Sequence, residues 1–316
     1  MIDKISCVSI IGASGFIGKH LLAALTERRN SEIRVLVHSK DNEIHTQHYV
    51  SLIEGDLLKP ETLEPLFEPG CTVINLAYLA SRSGRDNLNA MANLADVCAR
   101  KRVKRLIHCS TAVVVGRVSE SLIDENTLCN PVSEYEKIKL IIEKILFEKA
   151  LGEFEISILR PSAVFGPGGQ NLLKLANELT SNKPWINYLK SSLFDRRSMN
   201  LVCVQNVVAA LTFLLDADKS INREIFIISD DDSPFNNYQD IENRLIMQLG
   251  MKAYPLPKIP IPHFFLALLL FLAGKSSTNP SVKYSDRKLA SFGFKKPQSI
   301  ENGVEAFAKW YQYKHP

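Results

Sequence analysis

Tyr135 and Lys139 stand four residues apart in Ser133-Glu134-Tyr135-Glu136-Lys137-Ile138-Lys139, at the head of a stretch with helical periodicity from Ser133 to Ala150. Spacing i, i+4 puts both side chains on one face, one turn apart. An ammonium beside a phenol favours the phenolate, so Lys139 is expected to lower the Tyr135 pKa from about 10 toward working pH. Such a tyrosine can pass a proton to or from a substrate hydroxyl or carbonyl while a hydride moves at the attached carbon. Thr111, in His108-Cys109-Ser110-Thr111-Ala112, offers a hydroxyl to the same oxygen as charge develops on it. Alone, a Tyr-x-x-x-Lys pair is a common surface feature, a lysine stem lying past a ring. Its surroundings decide between the two readings.

The strongest of these surroundings lies at the N-terminus. The apolar run Val8-Ser9-Ile10-Ile11 breaks into Gly12-Ala13-Ser14-Gly15-Phe16-Ile17-Gly18, and an amphipathic stretch to Thr26 follows at once. A continuous apolar run reads as a buried parallel strand, and the glycines allow a tight turn and a close approach to phosphate. The following helix then aims its N-terminal N–H groups and dipole at that anion. The pattern predicts a dinucleotide site. Twenty residues after Gly18, the second strand ends in His38-Ser39-Lys40. An acid there would hold the ribose hydroxyls of NAD and repel a 2′-phosphate. Neutral and basic groups favour NADP(H) over NAD(H), unless His38 and Lys40 are plain loop residues. Asp56 in Gly55-Asp56-Leu57 either accepts from an adenine amino group or caps a helix. Leu76 and Ala77, closing the fourth strand, would line the nicotinamide side.

The bulk numbers fit this picture. The chain has 316 residues, of which 46% are hydrophobic and 23% charged, with a net charge of +4. That length holds one large α/β domain or slightly more, and the charge is too mild and too evenly spread to indicate nucleic acid. The six cysteines, Cys7, Cys71, Cys98, Cys109, Cys129 and Cys203, form no Cys-x-x-Cys pair and mostly lie in apolar runs, which reads as free buried thiols without a metal in a reducing, cytoplasmic setting. Phe264–Ala273 is an apolar run of ten residues, half of the roughly 20 needed to span a bilayer. It is expected to be a buried helix, with peripheral membrane contact as the alternative.

Strands are expected at 5–11, 33–38, 50–54, 72–77, 105–110 and 155–160, with helices between them, the clearest at Leu88–Lys101 and Ser133–Ala150. Alternation of this kind gives a doubly wound parallel α/β sheet. After Pro161 the alternation loosens, with a helix at 171–182, an irregular stretch at 185–198, and strand 199–204, helix 206–216 and strand 224–229 rejoining the sheet. The remainder is expected to be mostly helical, ending in 299–313. The expected division is a dinucleotide-binding domain over 1–161, rejoined by about 199–229, and a smaller substrate region over 162–198 and 230–316.

Taken together, the glycine turn, Gly55-Asp56-Leu57, Val73-Ile74-Asn75-Leu76-Ala77, Asn87-Leu88-Asn89-Ala90-Met91-Ala92-Asn93-Leu94, Ser110-Thr111-Ala112, the Tyr135/Lys139 pair and Leu159-Arg160-Pro161-Ser162-Ala163-Val164-Phe165-Gly166-Pro167-Gly168 resemble the extended short-chain dehydrogenase/reductases, the NAD(P)-dependent epimerase/dehydratase group. The resemblance implies a Rossmann-type fold and a homodimer. It puts Thr111, Tyr135 and Lys139 at catalytic positions. Gly12, Ser14, Gly15, Phe16, Ile17, Gly18, His38, Asp56, Leu57, Leu76, Ala77, Tyr135, Lys139 and Pro161 fall at cofactor-contacting ones. The branch it is most similar to, nucleotide-sugar 4-epimerases and 4-keto-reductases, implies a UDP- or dTDP-sugar substrate, with Asn171 near the nucleotide-sugar, Thr111 at the reacting oxygen and Arg197 at the diphosphate. For Arg197 the plain alternative is a surface ion pair. Ala163, where many members have asparagine, opens a hydroxysteroid- or isoprenoid-alcohol dehydrogenase reading. A cofactor-binding regulator without catalysis is the reading from another class.

Overall fold

The computed structural model describes residues 7–29, 31–38, 49–257, 259, 261, 265–266, 272 and 279–315. The chain divides into two compact units. One holds Met1–Val114, Ser133–Arg160 and Val208–Phe226, the other Val115–Val132, Pro161–Val207 and Ile227–Pro316.

In the first unit, apolar runs too short for helices and broken by turn residues become strands: β1 (Cys7–Ile11), β2 (Glu32–Val37), β3 (Val50–Glu54), β4 (Thr72–Asn75), β5 (Arg105–Cys109), and further along the chain β7 (Glu155–Pro161) and β10 (Glu224–Ile228). They form one seven-stranded sheet in the order β10-β7-β5-β4-β1-β2-β3, parallel at each of its register-defined pairs. β1, β4 and β5 are buried at every residue, as expected of strands covered on both faces. The order reverses between β1 and β4, which opens the crevice where ligands bind in such sheets.

Helices α1 (Phe16–Arg28), α2 (Gly84–Arg100) and α3 (Glu134–Lys149) belong to this unit. α2 and α3 each begin with a capping box, Ser83 with Asp86 and Ser133 with Glu136, so the terminal N–H groups are satisfied locally. Leu94, Val97 and Cys98 of α2 join Ile138, Ile142 and Leu146 of α3 in a core with Val73, Leu106 and Ile156 of the sheet. Within this core, Glu143 of α3 and Arg160 of β7 form a two-point ion pair at 3.1 and 2.5 Å, with side chains only 2% and 4% exposed.

The second unit builds a separate core from α4 (Leu173–Ser181), α7 (Tyr238–Gln248) and α9 (Ile300–Lys314), including Leu175, Leu179, Ile241, Leu245, Val304 and Phe307. β8 (Ala163–Phe165) pairs with β9 (Leu201–Cys203), and β11 (Lys283–Tyr284) pairs with β6 (Leu122–Ile123). Strand 199–204 was expected to rejoin the large sheet; it pairs instead with β8, because Ala163 N–H donates to Asn200 O and fixes that ladder. The stretch 185–198, expected to be irregular, is largely helix α5 (Pro184–Phe194). Pro184 at its first position opens it, since its missing N–H costs nothing there. α6 (Val204–Leu215) and α8 (Arg287–Ser291) complete the helices among the described residues.

The Glu143–Arg160 pair makes a stability prediction. Replacing Glu143 by Leu alone strands a buried guanidinium and is expected to lower unfolding free energy by about 3–5 kcal/mol. The double variant Glu143→Leu/Arg160→Met should recover part of that loss, as measured by urea unfolding.

Candidate active site

The first unit opens on a tight glycine turn between β1 and α1. Gly12 ends β1 with φ +86°, in the left-handed region, and a Cβ on it would come within 3.0–3.3 Å of Leu76 and Ala77 backbone atoms. A Cβ on Gly18 would fall 2.1 Å from the Gly12 carbonyl oxygen and 2.6 Å from Ala13 Cα, so α1 packs against the turn too closely for any side chain. Gly15 caps α1 without a side-chain hydrogen bond, and its first turn carries no acid, in contrast to α2 and α3. The leading N–H groups of α1 therefore keep their donors for an anion. Ser14 and Gly15 are exposed, and Phe16 and Ile17 half-buried. This cradle fits the diphosphate of a nicotinamide dinucleotide.

The remaining cofactor positions fall out unevenly. Leu76 and Ala77 are half-buried and lie directly against Gly12. His38 is exposed just past β2, while Ser39 and Lys40 lie outside the described residues. Asp56 Oδ1 accepts from Leu58 N–H at 2.9 Å, closing its own turn ahead of the 3-10 helix Pro60–Leu66. Leu57 is 5% exposed and its side chain belongs to the hydrophobic core. Pro161 ends β7 and is buried in the second unit's stretch of chain.

Around the proposed acid/base the geometry departs from the simplest expectation. Lys139 is 3% exposed, and its Nζ donates to Cys109 O at 3.1 Å, at the end of β5. The same ammonium lies 5.7 Å above the Tyr78 ring. Tyr135 meets Tyr78 edge-on, with centroids 5.1 Å apart, and remains 42% exposed. Lys139 does not lower the Tyr135 pKa here: burial pushes the phenol up to about 12, helped by Cys109 and Tyr78. Burial also moves the Lys139 pKa down from its ordinary value. The reason is positional, because the ammonium is committed to a backbone carbonyl and an aromatic face. Thr111 is half-buried and its Oγ1 accepts weakly from Val113 N–H at 3.4 Å, while Ser110 Oγ is buried with no hydrogen-bond partner among the described residues.

Two residues not singled out from sequence support this site. Asn75 and His108 are register partners on β4 and β5, both fully buried. Asn75 Nδ2 lies 3.0 Å from His108 Nδ1, and Asn75 Oδ1 accepts from Ala77 N–H at 3.0 Å. Burial, with the Lys139 charge behind it, holds the His108 imidazole well below its ordinary pKa and hence neutral. The signal available in sequence was a polar residue directly after two apolar ones near the end of each strand, Val73-Ile74-Asn75 and Leu106-Ile107-His108. Asn87 of α2 likewise pins the loop after β4, donating to Leu79 O at 3.0 Å and accepting from Leu79 N–H at 2.8 Å.

In the second unit, Asn171 and Arg197 line one cavity of about 360 Å³, together with Lys174, Lys190, Phe194 and Tyr238. Lys190 pairs with Glu178 at 3.1 Å and Lys174 lies 3.9 Å from the same carboxylate. Arg197 sits 5.7 Å above the Phe194 ring, and burial pulls its pKa down. The surface ion pair expected as its alternative role is instead made by its neighbour, Arg196 with Asp240. Asn171 Nδ2 donates to Val164 O at 2.6 Å.

A parallel seven-stranded sheet with a glycine turn at its first strand defines a Rossmann-type α/β protein. The family model for the NAD dependent epimerase/dehydratase family matches residues 8–229, and the chain belongs to that family. Among curated relatives, a sterol-4-alpha-carboxylate 3-dehydrogenase of Schizosaccharomyces pombe is 26% identical over 70% of this chain and 69% of its own length. An N-acetyl-alpha-D-glucosaminyl-diphospho-ditrans,octacis-undecaprenol 4-epimerase of Escherichia coli O157:H7 is 23% identical over 98% of this chain and 96% of its own. Among solved structures, a UDP-glucuronic acid 4-epimerase from Bacillus cereus in complex with NAD superposes with a TM-score of 0.73 at 17% identity, covering 98% of this chain and 100% of the other.

The glycine cradle carries its own prediction. Gly12→Ala places a methyl against the Leu76–Ala77 backbone at a φ that disfavours side chains. Cofactor affinity measured by calorimetry is expected to fall at least about tenfold, which corresponds to 1.4 kcal/mol.

Proposed function

We propose that the protein interconverts a secondary alcohol and its ketone, at C4, on a sugar that carries a nucleoside diphosphate. The observation that carries this reading is Arg197: a half-buried guanidinium, without an ion-pair partner among the described residues, in the same cavity as Asn171. A planar guanidinium matches the oxygen geometry of a phosphate. Lys190 pairs with Glu178 and Lys174 reaches toward the same carboxylate, so the cavity keeps a net positive charge to which Arg197 contributes. Phe194 and Tyr238 add aromatic wall.

A nicotinamide dinucleotide supplies the hydride acceptor or donor when bound at the β1–α1 turn. The end of β2 carries no carboxylate at His38, which supports NADP(H) over NAD(H). Tyr135, open to solvent on one side, gives its proton to the substrate oxygen in reduction and takes it back in oxidation. Thr111 donates to that oxygen, and Lys139 keeps positive charge beneath it from its seat on Cys109 O. The full-length match to a sugar-diphosphate 4-epimerase supports the sugar class. The matches to sterol-carboxylate dehydrogenases support the second reading, an alcohol dehydrogenase acting on a sterol-like substrate.

Mixing the protein with NADPH and a UDP-4-keto-6-deoxyhexosamine should consume absorbance at 340 nm. No loss with several keto-sugars, together with turnover of an apolar 3-hydroxysterol, would establish the second reading instead. Tyr135→Phe is expected to lower kcat at least about a hundredfold, within the range of general acid–base contributions, while cofactor affinity stays within about twofold. Arg197→Ala should weaken UDP binding by at least about tenfold, as loss of a charge-assisted hydrogen bond.

The pH dependence follows from the Tyr135 shift. With its pKa raised to about 12 by burial, the phenol stays protonated through neutral and mildly alkaline pH. The proton needed for reduction is then always present, so Tyr135 contributes no fall in reductive kcat/KM between pH 7 and 10. Oxidation draws on the small phenolate fraction, so its kcat/KM should climb with pH across that range.

A further inference from the structure

We propose that Tyr78 is a positioning residue: its ring seats the Lys139 ammonium away from the Tyr135 phenol and so keeps the two uncoupled. The inference rests on the acid/base reading of Tyr135 and deepens it. Tyr78 follows β4 by three residues, directly after Leu76 and Ala77, where the strand order reverses. Spacing along α3 puts Tyr135 and Lys139 on one face, yet each of them meets Tyr78. Lys139 Nζ lies 5.7 Å from the Tyr78 ring centroid, inside the roughly 6 Å over which a ring face attracts a cation. Tyr135 crosses the same ring at 83°, centroids 5.1 Å apart, an arrangement that aromatic pairs favour. Cys109 O accepts from the ammonium at 3.1 Å, so a carbonyl and a ring face hold it. Among the described residues no hydrogen bond joins Lys139 to Tyr135.

The charges around these three side chains agree with that arrangement. Burial raises the Tyr135 pKa, followed by Cys109 and Tyr78, and burial lowers that of Lys139 against the pull of Cys109 and Glu143. Neither group acts on the other's pKa. His108 is held neutral by burial and by the Lys139 charge, and burial pushes the Cys109 thiol up to about 11, so it too is neutral at pH 7. Glu143 is paired with Arg160. Burial, with the Glu134 carboxylate, raises the Tyr78 pKa, so Tyr78 presents an uncharged π face. An ammonium against the Tyr135 hydroxyl would stabilise the phenolate; turned to the Tyr78 face, it leaves Tyr135 a proton donor. The backbone beside Tyr78 is pinned by Asn87, which bonds both Leu79 N–H and Leu79 O. The Tyr78 hydroxyl makes no hydrogen bond among the described residues. A substitution at this position therefore removes the ring from a loop that is fixed by other residues.

The test is titration of Tyr135 by carbon-13 NMR of the full chain labelled at tyrosine Cζ, with its signal assigned by its loss in Tyr135→Phe. Tyr78→Ala should lower the Tyr135 pKa by at least about one pH unit, a tenfold gain in phenolate at a given pH. Adding Lys139→Met to Tyr78→Ala should reverse at least about half of that fall, whereas Lys139→Met alone should leave the titration unmoved, a coupling that only the double variant exposes. Tyr78→Phe keeps the ring and should titrate as the unsubstituted protein does. Tyr78→Leu fills the space without a π face; it should act in the same direction as Tyr78→Ala and replaces it where the alanine variant does not fold. The oxidative kcat/KM of Tyr78→Ala should level off at a lower pH than that of the unsubstituted protein. The proposal is overturned if Tyr135 titrates alike with and without the Tyr78 ring, or if the fall survives Lys139→Met undiminished, which would make it an effect of water alone. It is also overturned if Tyr78→Phe behaves as Tyr78→Ala does. The titration needs no substrate, so a failure to turn over any sugar overturns the sugar reading while the Tyr135 signal still decides this one.

Discussion

The first unit depends on a cation held out of water. Lys139 lies on the buried face of α3, with Cys109 O as hydrogen-bond acceptor and the Tyr78 face above it. A buried ammonium is tolerable only where dipoles or counter-charges surround it. The carbonyl at the end of β5 supplies one such dipole, and the carboxylate of Glu143, one turn further along α3, adds a stabilising charge. Glu143 is in turn held by Arg160 of β7. Tyr135, Lys139 and Glu143 therefore form a single column at i, i+4 and i+8, seated on the C-terminal ends of two strands. The parallel pairing of β5 with β7, Cys109 opposite Leu159, fixes the spacing of those strands.

A second polar layer, Asn75 of β4 with His108 of β5, lies beneath Leu76 and Ala77. Asn75 uses both ends of its amide, accepting from Ala77 N–H and engaging His108, so the backbone that packs on Gly12 is held from beneath. A charged imidazole there would oppose Lys139, and burial keeps His108 neutral. Of the two, the ammonium is the one that carries charge. The geometry explains why the Tyr135 phenol sits high rather than low: the lysine stabilises charge from a fixed seat and is not aimed at the phenol itself.

Much of this was legible in the sequence, because the signals were local. The apolar runs of β1, β4 and β5, the glycine spacing and the Ser133/Glu136 capping box act over a few residues, and their elements lie within two residues of expectation at Ser133–Ala150 and 105–110. What was not legible depended on partners far along the chain. The seat of Lys139 is thirty residues away, so only the fold shows that its ammonium points to Cys109 O. The β8–β9 pairing and helix α5 carry weak local patterns, and the stretch 185–198 read as irregular because its charges cluster at its end rather than along one face. Leu57, carried over by resemblance as a cofactor position, places its side chain in the core, a use that the resemblance alone did not show.

The same logic separates Arg197 from the other arginines of the chain. Arg244 has Glu305 at 2.9 Å and Arg105 has Glu155 at 2.8 Å, so each is neutralised where it stands. Arg197 is half-buried against Phe194, with no carboxylate paired to it among the described residues. Desolvating a guanidinium without compensation is unfavourable, and an arriving dianion converts that penalty into attraction that water screens weakly. The position was reachable from sequence through the resemblance alone. Its significance rests on what surrounds it: Glu178 is engaged by two lysines, and Asp240 lies toward Arg196 instead. Those neighbours leave the cavity with a net positive charge, the half-buried Arg197 among its sources, and that excess is the physical basis for proposing a diphosphate in the second unit.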